Sequence, residues 1–353
     1  MNPVEKALRQ ADAAQQHHTP TAFLFGVIKK FGDDNGGALV SNLAYTGFVT
    51  VFPLLLILVT VLVNIAARDP SLRGQVIHAA TMQFPLIGRQ LASNIHGLKR
   101  ATTASLVVGL LLLVWGVTKL AQAGLFAMEQ VWNLPGPSRA AYFPRLGRSV
   151  VFLAILALGV ITSTLLASLI TYGQHAFVVR VLAQCLAALA NIGLYYLGFR
   201  ALTPRAVRSR QLVPGAAAGG LFWTVLQAFG AYLVHHDLRS DSVYGIFASV
   251  LGLVAWIYVA AEAAIYAAEI NVVLAHKLWP RAMVQPPLTE ADRAAMARQA
   301  LQNQRRPEQQ VEVTFSDRPE GPNIPARTSV RPEEAPPPVT GKPAPEPRSQ
   351  SPG

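Results

Sequence analysis

The chain alternates long apolar stretches with short clusters of arginine. No Asp, Glu, Lys or Arg occurs from Asn35 to Ala67, from Ala101 to Thr118, from Ser149 to Val179, or from Val181 to Phe199. A fifth uncharged run covers Gln211 to His236, and a sixth runs from Ser242 to His276 with only Glu262 and Glu269 inside it. A helix needs about 20 mostly apolar residues to cross roughly 30 Å of hydrocarbon. The pattern therefore predicts spans at about 38–66, 101–123, 149–172, 177–199, 212–235 and 244–276. The fold class that follows is all-α, a polytopic membrane bundle of six transmembrane helices.

The basic residues orient these spans, because Lys and Arg in short loops are retained on the cytoplasmic side. Arg139, Arg145 and Arg148 lie between spans two and three, and Arg200, Arg205, Arg208 and Arg210 between spans four and five. The opposite turns are poor in both: Thr171–Ala176 has none and His235–Tyr244 only Arg239. Both termini are expected in the cytoplasm. Segment Arg68–Arg100 runs against this vote with five basic residues, and its spaced apolar positions suit an external amphipathic hairpin lying in the interface.

Outside the bundle, residues 1–34 form a cytoplasmic N-terminal segment without a cleavable signal pattern, and 277–306 a basic cytoplasmic helix or linker. From 307 to 353 the character changes: 12 of the 25 prolines fall there, so this stretch is expected to be a disordered tail. Composition adds that 52% of residues are hydrophobic and only 14% charged, which excludes an ordinary soluble domain. Of the net charge of +11, all but +2 lies before Lys277. That basicity fits loops facing anionic lipid, so membrane lipids are the expected partners and nucleic acid is not. The single Cys185 forms no intrachain disulfide and reads as a packing residue.

Within the spans two polar stripes stand out. Tyr258, Glu262, Tyr266 and Glu269 fall at i, i+4, i+8 and i+11, on one face of the sixth span. A central acidic residue costs roughly 2.5–3.5 kcal/mol on insertion scales, so Glu262 is expected to face inward on a polar path. Glu269, near the helix end, has two readings: a path residue, or an anchor that reaches headgroups or a loop arginine. Asn42, Thr46, Thr50 and Pro53 repeat the same spacing in the first span, where Pro53 frees the carbonyl of Val49 and predicts a kink. Gly215 and Gly219 offer a small-xxx-small face for helix packing, as do Ala260, Ala264 and Ala268. No HExxH, CxxC, GxSxG or Walker loop is present, so no catalytic residue, cofactor or resident metal is assigned. His235, His236, Asp237 and Asp241 cluster in an outer turn but are not read as a metal site.

With the spans placed, the chain resembles the YihY/virulence factor BrkB family of bacterial inner-membrane proteins. The resemblance is carried by YTGFVTVFPLLL, LLLVWGVTKLAQAGLFAMEQVWN, LVPGAAAGGLFW and YGIFASVLGLVAWIYVAAEAAIYAAEINVVL, in that order over about residues 22 to 276. It implies a six-helix protein of the bacterial inner membrane. The family has carried a ribonuclease label, which no catalytic constellation here supports. The expected function is a transporter or lipid translocator with a polar path between spans one and six. The alternative is a non-enzymatic scaffold that engages envelope proteins or a second copy of itself.

Overall fold

The computed structural model describes residues 3–66, 103–136, 142–172, 177–204, 207–236 and 243–315. Among them no strand occurs. The elements are α1 (Pro3–His17), α2 (Thr19–Asp33), α3 (Gly36–Ala66), α4 (Thr103–Val131), α5 (Tyr142–Tyr172), α6 (Phe177–Leu202), α7 (Val213–His236), α8 (Val243–His276) and α9 (Glu290–Gln302). A short 3-10 turn, Ser209–Leu212, leads into α7. The expected hairpin at 68–100, the turn holding Asp237 and Asp241, and the tail beyond 315 lie outside the described residues.

Five helices carry stretches long and apolar enough to cross a membrane: Gly36–Leu54, Val107–Val131, Val181–Leu202, Ser209–Gly230 and Val250–His276. At about 1.5 Å per residue, the 31 residues of α3 and the 34 of α8 exceed the hydrocarbon thickness. Their exposed side chains are apolar where lipid would meet them, as Leu111, Leu182, Leu189 and Val225 illustrate. α4 runs eight residues past the end expected at 123, and its late acidic residue, Glu129, is buried against Arg145 of α5 at 3.0 Å.

α8 is the hub, packing against α2, α3, α4 and α7. Around it sit the fully buried Val40, Leu125, Val131, Leu212, Ile265, Val272 and Leu278. Small residues permit the closest approaches. A Cβ on Gly215 would collide with the Ala267 carbonyl oxygen, and one on Gly219 would stand 2.5 Å from the Tyr195 ring. Gly215 also donates its backbone N–H to Asn271 Oδ1 at 2.7 Å, so a side chain of α8 satisfies an orphan amide in the first turn of α7.

α1 and α2 are folded together with the stretch 277–302. α1, α2, α9 and the connecting strip 277–289 make a polar layer at the end of the bundle where α3, α5 and α7 begin and α4, α6 and α8 end. Three helices stop in this layer through residues in left-handed backbone conformation, α2 at Asn35 with φ 54° among them. Asn133, at φ 46°, ends α4 while Leu134 N–H bonds back to the Glu129 carbonyl. Lys277, at φ 52°, ends α8 while Leu278 N–H reaches Val273. The last two are Schellman closures, and Asn tolerates this conformation better than most side chains.

Candidate functional site

The polar stripe of α8 passes from open to sealed surroundings. Tyr258 is 39% exposed. Glu262, one turn on, is half-buried, and among the described residues its carboxylate has neither an ion-pair partner nor a hydrogen bond. Tyr266 is also half-buried, with its ring stacked on Phe31 of α2 at 4.3 Å between centroids. Glu269 is 0% exposed. The stripe thus leads from the flank of the bundle to its most enclosed carboxylate.

Glu269 meets a cation from α2. Lys30 Nζ lies 3.6 Å from Glu269 Oε2, donates to the Val131 carbonyl at 3.1 Å, and pairs with Asp34 one turn further along its own helix. Asn133 holds the other Asp34 oxygen at 2.9 Å and reaches Gln302 of α9 at 3.1 Å. Three helices, α2, α4 and α8, therefore converge on one buried ammonium, and α9 joins them through Asn133. The pairing expected with a loop arginine is instead made with Lys30, 239 residues away along the chain, a lysine with only 1% of its side chain exposed. Burial raises the Asp34 pKa, and Lys30 and Asn133 offset this only in part.

A second charge cluster locks the layer's outer half. Asp292, fully buried at the third position of α9, accepts from Arg281 Nε at 2.8 Å, Lys29 Nζ at 2.9 Å and the Ala282 amide at 3.0 Å. It also closes a capping box with Thr289. Burial alone would raise its pKa. The bonds from Arg281, Ala282, Lys29 and Thr289 outweigh that and hold it well below the usual carboxylate range. Arg281 extends to Asp33 at 2.8 Å, and Asp12 of α1 accepts the Met283 amide at 3.0 Å and the Val284 amide at 3.3 Å.

The stripe on α3 is divided. Asn42 is exposed and Thr46 and Pro53 are half-buried, whereas Thr50 is buried against α4, where a Cβ on Gly116 would meet its hydroxyl at 3.2 Å. The Thr46 hydroxyl donates to the Asn42 carbonyl at 2.8 Å, and that of Thr50 to the Thr46 carbonyl at 2.7 Å. Such back-bonding before a proline bends helices. α3 and α8 touch nearby at Gly47 and Ile257. On the packing face, Gly215 and Gly219 meet Ala267, and Gly215 also Asn271; Ala260 and Ala264 are half-buried and Ala268 is buried. Cys185 is exposed.

Sequence reasoning missed Lys30, Asp34, Asn133, Arg281 and Asp292. The i, i+4 spacing of Lys30 and Asp34 was the available signal, and it reads equally as a solvated surface pair. It also missed an inter-helix triad, in which Asn191 of α6 donates to Thr224 at 2.9 Å and Gln227 at 3.0 Å, both on α7.

These features define a multi-pass, all-helical membrane protein whose terminal segments close one end of the bundle with buried ion pairs. The family model described as Virulence factor BrkB matches residues 27–289, and the chain belongs to that family. It is similar to a UPF0761 membrane protein of Alcanivorax borkumensis, 22% identical over 247 residues, covering 67% of this chain and 57% of that relative. The chain thus aligns with little more than half of that relative's length. No solved structure matches.

Proposed function

We propose that this protein is a six-span transporter of the bacterial inner membrane, both termini cytoplasmic, that moves an amphiphilic substrate of the lipid class past the open part of the α8 stripe. The supporting observation is the half-buried carboxylate of Glu262, without a partner among the described residues and well inside an apolar helix. An acidic group retained at such a depth without a structural partner has its use in meeting a polar group in transit. Tyr258 and Glu262 contact that group, and Asn42 and Thr46 of α3 extend the polar surface. α5, with 31 residues, supplies the sixth span, and the arginines at its start favour a cytoplasmic polar layer. No enzymatic step is part of this reading.

Translocation of tail-labelled phospholipids in proteoliposomes tests it. Wild-type protein should expose inner-leaflet label to a membrane-impermeant quencher, and Glu262→Gln should slow this strongly. Protection of the inner leaflet equal to that in protein-free vesicles would reject lipid movement and leave the scaffold reading in its place.

A further inference from the structure

α2 is apolar on two sides. Its inner side packs on the rest of the protein through Ala22, Val27 and Lys30, while Leu24 and Ile28, one turn apart on the outer side, are 60% and 49% exposed. An outward apolar side is unexpected in a helix that meets only water. α2 ends at Asp33 and α3 begins its membrane-spanning stretch at Gly36, so this side lies at the membrane surface.

A groove of about 440 Å³ opens there between α1, α2 and the strip after α8, bordered by Leu24, Phe25, Ile28, Met283, His18 and Gln15. Its exposed lining is almost entirely carbon. Gln15 stands at its wall beside His18 and Thr21; it is 8% exposed, with neither the oxygen nor the nitrogen of its side-chain amide hydrogen-bonded. A buried amide left without partners is costly, and a native structure retains one where a ligand completes it.

We infer that this groove binds one ester-linked membrane phospholipid, with an acyl chain along Leu24, Phe25 and Ile28 and an ester carbonyl accepting a hydrogen bond from Gln15 Nε2. The chemistry fits the depth: ester carbonyls lie just beneath the headgroups, where an interfacial helix buries its apolar side. Phospholipid is favoured over a protein segment because the exposed lining is almost entirely carbon and α2 leads within three residues into the apolar stretch of α3. The inference stands apart from substrate movement, since it lies on the far side of α2 from the stripe on α8.

Native mass spectrometry of the full-length protein, exchanged into detergent and titrated with dioleoyl phosphatidylglycerol, tests it. Wild type should retain one phospholipid. Leu24→Trp, which fills the groove, should lose it, while Leu221→Trp on the exposed side of α7 should keep it; unfolding midpoints would verify that both variants are folded. The diether analogue, lacking ester carbonyls, should bind wild type about fivefold more weakly, the equivalent of one neutral hydrogen bond. Gln15→Leu should bind the two lipids equally. Retention by Leu24→Trp at the wild-type level would overturn the site, and equal binding of ester and ether lipids by wild type would overturn the role of Gln15.

Discussion

Glu262 and Glu269 occupy the same side of the same helix, two turns apart, in opposite surroundings. Glu269 has no exposed surface and faces Lys30, which Asp34 and the Val131 carbonyl hold in place. Glu262 keeps solvent- or lipid-accessible surface and has no partner among the described residues. Burial with a fixed countercharge makes a group structural, because its removal strands the partner in a low-dielectric interior. A lone carboxylate at the bundle's flank contributes nothing comparable to stability, so its presence calls for a different account. The comparison teaches that polarity within a span does not by itself mark a path; what distinguishes the two is whether the protein has already answered the charge.

The largest effect should come from breaking the answered charges. Lys30→Met leaves Asp34 and Glu269 buried without their cation, and Asp292→Ala removes the buried acceptor shared by Arg281 Nε, Lys29 Nζ and the Ala282 amide. Each should destabilise the protein by about 3–5 kcal/mol, read as a large drop in the thermal-unfolding midpoint of purified protein in micelles. A drop no larger than that of an ordinary surface substitution would remove the distinction between the two regions.

Gly215→Ala comes next. Its Cβ would collide with the backbone of α8 at Ala267, and backbone cannot rotate away. Overpacking of this kind costs typically about 1–3 kcal/mol, and the Gly215–Asn271 hydrogen bond is lost with it. Gly147, which has nothing within 4 Å of a built Cβ, is the control and should tolerate alanine.

A smaller, signed effect concerns pH. Asp34 has a raised pKa when folded, so the folded state gains protons and stability as pH falls through that raised value toward the ordinary aspartate value of about 3.9. Asp292 has a depressed pKa, so its contribution is complete above the ordinary aspartate value of about 3.9 and is lost as pH falls through its folded value. The unfolding midpoint should therefore rise on mild acidification and fall below about pH 4. Asp34→Asn should reduce the rise and leave the acid limb. A midpoint that falls steadily from neutrality would contradict the assignment.

Much of the membrane domain was legible because lipid imposes a simple rule, an uninterrupted apolar run of sufficient length, and α3, α4, α6, α7 and α8 obey it. The stripe on α8 was legible for the same reason: carboxylates stand out against Ala, Val and Ile. The polar layer was not. Lys30, Arg281 and Asp292 sit in segments whose balanced charge and modest apolar content look like solvated surface, and their burial depends on contacts between residues hundreds of positions apart. The stretch 277–306 reads as a basic helix or linker and contains α9; what the sequence does not reveal is that Arg281, Ala282 and Asp292 in it are buried. The small-residue faces of α7 and α8 were legible, but not that Gly215 meets Ala267 and gives its amide to Asn271.

The smallest effect on stability belongs to Glu262. With no partner to strand, Glu262→Gln should shift stability by no more than about 0.5 kcal/mol, where Glu269→Gln shifts it severalfold more. The most direct test of the division between the glutamates measures both variants side by side, taking unfolding midpoint and phospholipid translocation from the same preparation. The account predicts a crossed result: Glu262→Gln is as stable as wild type and poor in translocation, while Glu269→Gln is destabilised and, per folded molecule, translocates at close to the wild-type rate. Two variants that lose stability and activity in parallel, or a Glu262→Gln protein that translocates as well as wild type, would contradict it.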